Sequence, residues 1–218
     1  IPRDWGEPRA IDQLKESIVD GPFGSNLKTE HYVPDPGVRV IRLQNIQSTR
    51  YNDSDRAYVA QEHADRLARN KGIAGDVLIA GLGEDRYPVG RACLYPEGFP
   101  PALNKADCFR LRCDDAQVIN RFMAYYLNTF AARLQVRKYE QGVTRPRINL
   151  GNIKRLLVPC PDLEEQRRIV DCMSTIEARL NSEIQRKKKL ILQKNGLMHD
   201  LLIGRVSVET EASELVDV

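Results

Sequence analysis

No two cysteines in this 218-residue chain stand at CxxC spacing, and the five present (Cys93, Cys108, Cys113, Cys160 and Cys172) make an odd count. This pattern fits reduced thiols in a cytoplasmic protein, and without closely paired cysteines a zinc site is disfavoured. No apolar run approaches the roughly 18 to 20 residues that cross a bilayer, and no membrane association is expected. The opening IPRDWGEPRA lacks the apolar stretch of a secretory signal, which argues against export. It also lacks an initiator methionine, which points to a start inside a longer gene product.

Catalytic machinery is equally scarce. There is no GxxxxGK(S/T) phosphate loop, no HExxH and no GxSxG. GLGED (81–85) offers Gly-x-Gly without the third glycine or a following helix. His31, His63 and His199 lie far apart, none beside a cysteine or paired carboxylates at ligand spacing. GEDR (83–86) carries acids but not the lysine of a metal-dependent nuclease. Neither catalysis nor a bound metal or cofactor is expected.

What is present is an ordinary globular composition, 42% hydrophobic and 29% charged, with a net charge of only +3. The distribution says more than the sum. Residues 133–155, RLQVRKYEQGVTRPRINLGNIKR, hold Arg133, Arg137, Lys138, Arg145, Arg147, Lys154 and Arg155 against Glu140 alone. The tail from 206 to 218 offsets this with Glu209, Glu211, Glu214 and Asp217. Such a patch beside Tyr, Gln, Thr and Asn suits phosphate contact plus base-edge reading, and equally suits a solvated loop.

The pattern predicts an α+β chain. Residues 1–160 read as a mixed α/β domain with strands at GVRVIRL (37–43), GDVLIAG (75–81), GRACLY (90–95), DCFRLRC (107–113) and IKRLLVP (153–159), each bounded by turn formers. QEHADRLARN (61–70) reads as a short polar helix. VINRFMAYYLNTFAARLQV (118–136) reads as one helix, its face of Ile119, Phe122, Met123, Tyr126, Leu127, Phe130 and Leu134 buried on the sheet. After the prolines of VPCPD, Asp162 and Glu165 stand as a capping box. From there to Gly204 there is no proline and one glycine, which predicts a helix over 161–204, about 60 Å long at ~1.5 Å per residue, ahead of a tail at 205–218. Ile169, Met173, Ile176, Leu180, Leu190, Leu197 and Leu201 fall on a coiled-coil seam, interrupted by Glu183, Lys187 and Lys194 where Ile184 and Ile191 suggest a register shift. A seam needs a partner helix, from a second chain or from more of this one.

Six stretches in order, covering 5 to about 208, resemble the specificity subunit of type I restriction-modification enzymes: one target-recognition domain and the helical region behind it. IPRDWGEPRAIDQL is similar to a P-x-x-W entry, and DGPFGSNLKTEHYV with GVRVIRLQNI to the most recognisable signature. GDVLIAG recurs as a strand, QGVTRPRINLGNIKRLLVPCPDLEEQRRIV resembles the junction into the helix, and LMHDLLIGRVSV resembles its end. The resemblance implies a non-catalytic reader of one half of a split duplex-DNA target. A full subunit has two such domains and two helices, so this chain is expected to be a self-dimerising half or part of a longer subunit. Its implied partners are DNA methyltransferase (modification) subunits docked on the helices and a restriction/translocase subunit, with S-adenosylmethionine and ATP bound by those partners only.

Site expectations follow. DGPFGSNLKTEHYV is a rigid turn by virtue of Gly21, Pro22 and Gly24, and Ser25, Asn26, Lys28 and Tyr32 are assigned to backbone contact, since the signature recurs among relatives reading different DNA. Base reading falls to segments without a family pattern, 84–88, 98–105 and 137–147. There Arg86, Asn104, Gln141 and Arg145 are the base-edge candidates and Lys105, Arg137, Lys138 and Arg147 the phosphate partners, with Tyr87, Tyr139 and Thr144 completing the surface. Two alternatives stay open at this point: a coiled-coil adaptor that binds protein alone, and the recognition portion of a fused restriction-methylation enzyme.

Overall fold

The computed structural model describes residues 5–83 and 87–207. Its strands are β1 (Arg9–Ala10), β2 (Lys15–Val19), β3 (Tyr32–Val33), β4 (Val38–Ile41), β5 (Tyr58–Val59), β6 (Lys71–Gly72), β7 (Val77–Ala80), β8 (Ala92–Leu94), β9 (Ala102–Asn104), β10 (Cys108–Cys113) and β11 (Leu157–Val158). The helices are α1 (Gln61–Arg66), α2 (Asn120–Leu127), α3 (Phe130–Tyr139), α4 (Leu150–Lys154) and α5 (Leu163–Leu202). One sheet runs β2-β10-β7-β8, a second β3-β5-β4-β9-β6, and β1 pairs with β11. Every pairing is antiparallel except β4 with β9, where Arg39 lies opposite Ala102.

The sheets stack because β7 is apolar on both faces and β10 adds Phe109 and Leu111 to one side and Cys108 to the other. Val77, Ile79, Phe109 and Leu111 join Met123 and Leu127 of α2 in one core. Leu78, Ala80 and Cys108 point the other way, and meet Ile41 and Ala102 of the second sheet with Tyr95. The far side of that sheet carries Val40, Val59 and Leu103 against Ala64 of α1. The order is helix, sheet, sheet, helix. Alternation along a strand sends neighbouring residues to opposite faces, so the uninterrupted VLIA run of β7 is what a doubly covered strand requires.

Three expectations change. The helix expected over 118–136 breaks at Asn128–Thr129, where the Asn128 amide donates to the carbonyls of Ala124 (2.8 Å) and Ala92 (2.7 Å), and the Thr129 hydroxyl accepts from Ala132 N–H (3.3 Å) as the N-cap of α3. The break redirects the apolar stripe, leaving Phe130 74% and Leu134 43% exposed rather than buried. Of the strand expected at 153–159 only Leu157–Val158 pairs, Ile153 lying in α4.

The chain divides into two units, Ile1–Val170 and Asp171–Val218. The opening turns of α5 belong to the first. The Asp162 carboxylate accepts the Glu165 N–H (2.8 Å), while Glu165 itself turns to Arg168 (2.7 Å), so the cap is one-sided. Gln166 is fully buried: its carbonyl oxygen accepts Ile119 N–H (2.9 Å), and its amide donates to the carbonyls of Gln117 (3.0 Å) and Pro161 (2.8 Å). Ile169, expected on the seam, is partly buried and packs on the same core.

In the second unit Met173, Ile176, Leu180, Leu190 and Leu197 are 39 to 58% exposed on the helix, with Ile184 and Ile191 also exposed and Leu201 half-buried. This stripe fits a coiled coil. Residues beyond 207, including the acidic tail, lie outside the described set.

Replacing Gln166 by Leu leaves one N–H and two carbonyls buried without their partner. At roughly 1 kcal/mol per bond plus desolvation, the first unit loses about 2 to 4 kcal/mol. A urea titration of the Gln166→Leu protein, followed by tryptophan emission from Trp5, checks it; an unmoved midpoint contradicts the role.

Candidate nucleic-acid interface

The basic segment leaves α3 and forms a closed loop. Gln141 and Arg147 exchange two backbone hydrogen bonds of 2.8 Å, Gly83 N–H donates to Pro146 (2.9 Å), and Ile148 N–H donates to Gly81 (2.9 Å). Gly142 turns with φ +89°, where a side chain would be strained and its Cβ would lie 3.1 Å from the Arg145 carbonyl oxygen. The loop therefore stands on a fixed stem and carries Val143, Thr144 and Arg145 at an exposed tip.

Beside it lies a cleft of about 260 Å³, walled by Leu43, Gln44, Gln47 and Asn52 on one side and by Leu82, Tyr87 and Arg145 on the other. Buried Arg91 holds both walls. Its guanidinium donates to the carbonyls of Leu43 (3.0 Å) and Ile46 (2.6 Å) in one loop, and of Leu82 (3.1 Å), Tyr87 (3.0 Å) and Pro88 (3.2 Å) in the other. It also lies 5.6 Å from the centre of the half-exposed Tyr87 ring.

The loop over 43–57 has bracing of its own. Arg39 pairs with Asp53 (2.6 Å), Arg42 and Gln44 both bind Asp55, and the buried Asn45 amide donates to the carbonyls of Asn52 and Asp55 (2.8 Å each). Within it Thr49 takes a positive φ of 60°, which β-branched residues rarely adopt.

The opening turn meets the basic loop. Arg147 pairs with Asp107 (2.7 Å) and lies 5.5 Å from the Phe23 ring centre. Gly21 packs so tightly on Lys105 that a Cβ there would fall 1.9 Å from its carbonyl carbon, a contact only glycine permits. Asp20 accepts N–H bonds from Gly21 (2.7 Å) and Asp107 (3.1 Å). Burial nevertheless pushes its carboxyl up to about 6; nearby Asp107 adds to the rise, while the Gly21 N–H and Arg147 oppose it.

The residues singled out from sequence divide accordingly. Arg145 and Tyr87 share the cleft; Gln141, Thr144, Arg137 and Lys138 are exposed on the loop or the last turn of α3; Ser25, Asn26 and Lys28 are exposed on the opening turn. Tyr139 is half-buried against the core. Lys105 donates to the Tyr32 hydroxyl (2.9 Å), and Arg42 lies over the same ring at 5.8 Å, so those two are tied to each other.

Asn104 is a correction. It is fully buried in β9, with its amide on the carbonyls of Cys108 (2.5 Å) and Val19 (3.4 Å), and has no access to a base. Arg86 lies outside the described residues. Gln44, Gln47 and Asn52, from LQNIQSTRYND just behind a strand, line the cleft as well and were not among the residues singled out.

A family profile described as type I restriction modification DNA specificity domain matches residues 70–192, more than half of the chain. The chain belongs to this family of type I specificity domains. The MjaVIII specificity subunit of a type I restriction enzyme from Methanocaldococcus jannaschii is 20% identical over 96% of the chain, and a protein of the same organism named as an MjaX specificity subunit is 25% identical over 92%. This specificity domain spans about half the length of these relatives, 48% and 46%.

Solved structures share the fold. An HsdS subunit from Thermoanaerobacter tengcongensis matches 84% of the chain and 39% of its own at a TM-score of 0.57 and 19% identity. A chain from a structure of type I R-M complex assembly and conformational transition matches 90% and 44% at 0.63 and 18%.

Because Asp20 titrates higher in the folded domain than in the unfolded chain, its contribution is complete below its ordinary carboxylate pKa near 4. That contribution is lost as pH rises through about 6. Asp20→Asn keeps the acceptor and removes the charge. After discounting for solvent screening, it is expected to gain about 1 to 2 kcal/mol at pH 8 and nothing at pH 4, measured by denaturant unfolding at both.

Proposed function

We propose that this specificity domain is a non-catalytic reader of one half of a bipartite duplex-DNA target in a cytoplasmic type I restriction-modification complex. The observation that carries the proposal is the fixed basic loop 141–147 standing beside the amide-lined cleft. Arg145 and the Gln47 amide, both lining that cleft, supply the bidentate groups that distinguish guanine and adenine in the major groove, while Gln44 and Asn52 brace the wall beside them. Arg137 and Lys138, exposed on α3, supply charge for phosphates.

The exposed stripe on α5 is proposed to pair with a second such helix, from another copy or from the rest of a longer subunit, and to seat the methyltransferase subunits. S-adenosylmethionine and ATP then belong to partners, along with the chemistry they serve.

Two substitutions separate reading from holding. Arg145→Ala is expected to weaken the selected target by about 1 to 3 kcal/mol and to relax one base position. Lys138→Ala is expected to weaken all duplexes alike and reduce the salt dependence. Selection from randomised duplexes at two ionic strengths checks both; a DNA-indifferent chain refutes the proposal. Inserting four residues after Leu180 lengthens the helix by ~6 Å, and at ~3.4 Å per base pair the preferred gap between half-sites widens by one or two base pairs if the helix is the ruler.

A further inference from the structure

Val143 is 100% exposed, at the tip of a loop whose backbone hydrogen bonds among the described residues lie in its stem. A β-branched side chain wholly in water contributes nothing to the core, yet Gly142 at φ +89° and the paired Gln141 and Arg147 backbones hold it there. The hollow beneath it carries Arg133 and Arg137 against the single acid Glu140, a net positive lining. Thr144 and Arg145 follow Val143 in the chain. No acid lies between Gln141 and Arg147.

A cationic loop is drawn to a polyanion, and an apolar tip entering a duplex groove meets one apolar feature on the base edges. In the major groove that feature is the C5 methyl of thymine. We propose that Val143 reads a thymine methyl, with Arg145 beside it on a neighbouring base edge or phosphate. The inference rests on the DNA-reading function proposed above and adds to it a specificity-determining residue of opposite chemistry, apolar where the others are polar. The stem matters for the same reason: a methyl contact is lost over a fraction of an ångström, so the apolar group has to be presented on fixed backbone.

Replacing thymine by deoxyuridine deletes that methyl and nothing else. The native complex containing this chain is first used to select its target from randomised duplexes, and each thymine is then replaced in turn. At one position in the half-site, uracil is expected to weaken wild-type binding about three- to tenfold, as burial of a single methyl implies. Val143→Ser is expected to bind the two duplexes alike there, and Val143→Ile to keep the preference. Indifference to uracil at every thymine overturns the inference and leaves DNA reading intact. So does a preference that persists in Val143→Ser, the result if Val143 serves a protein docked towards Phe130. A complex that selects no sequence overturns DNA reading, and this inference with it.

Discussion

The proposed recognition face depends on one buried charge. Arg91 sits at 4% exposure and meets the carbonyls of Leu43, Ile46, Leu82, Tyr87 and Pro88, backbone groups from two loops about forty residues apart. A guanidinium has five donors in a planar fork, so it can satisfy carbonyls arriving from several directions at once. The Leu43 and Pro88 carbonyls also accept the Ile46 (3.1 Å) and Arg91 (3.4 Å) N–H groups, and burying the others unpaired is costly. Arg91 meets that need and so fixes the separation of the cleft walls. A lysine offers one point of charge and cannot span both.

The layered core explains why the proposed recognition residues lie on loops. With β7 covered on both faces and the second sheet covered by α1, the central strands have no free face to present. What remains among the described residues are connections such as 20–32, 43–57, 81–83, 87–91 and 141–148. They are packed against each other through Gly21 on Lys105, Phe23 under Arg147 and Arg91 between the walls. Loops braced this way vary in side chain without moving in backbone, which suits a family whose members differ in what they recognise.

The elements legible from sequence are those with a period. The α5 stripe and strands such as VLIA and CFRLRC follow from spacing alone, and Asp162 announces the cap of the long helix. The failures have local causes. Asn128–Thr129 is a cap pair inside an apolar helical pattern, and periodicity does not detect a break that preserves residue count; Phe130 and Leu134 consequently emerge on the surface.

Asn104 looks like a base reader because it is polar and near a lysine. Its neighbours in β9, Ala102 and Leu103, are the better guide, since the strand is buried throughout. Gln44, Gln47, Asn52 and Arg91 were not picked out because their role is made by tertiary contact across about forty residues, which no short motif encodes. Gln166 is the same case at the start of α5.

The basic segment also carries less usable charge than its composition implies. Arg147 is paired with Asp107, Lys154 approaches Asp12 at 3.6 Å, and Arg133 donates to the Val89 carbonyl (2.6 Å) and the Asn128 side chain (3.0 Å), its pKa lowered by burial to about 10. Arg137, Lys138, Arg145 and Arg155 remain as exposed cations without such a partner among the described contacts.

If each neutralises about one phosphate, the charge-driven affinity falls only on the order of a hundredfold between 50 and 200 mM salt, the behaviour of a weak single-site binder. A head of that kind gains most from being joined to a second, because the linked encounter occurs at high effective concentration. On the proposed reading, the sparse charge of the domain and the unpartnered stripe of the helix are therefore two sides of one arrangement. On that reading the helix joins two heads of modest charge into one selective reader, and the pair gains in affinity what neither head draws from phosphates alone.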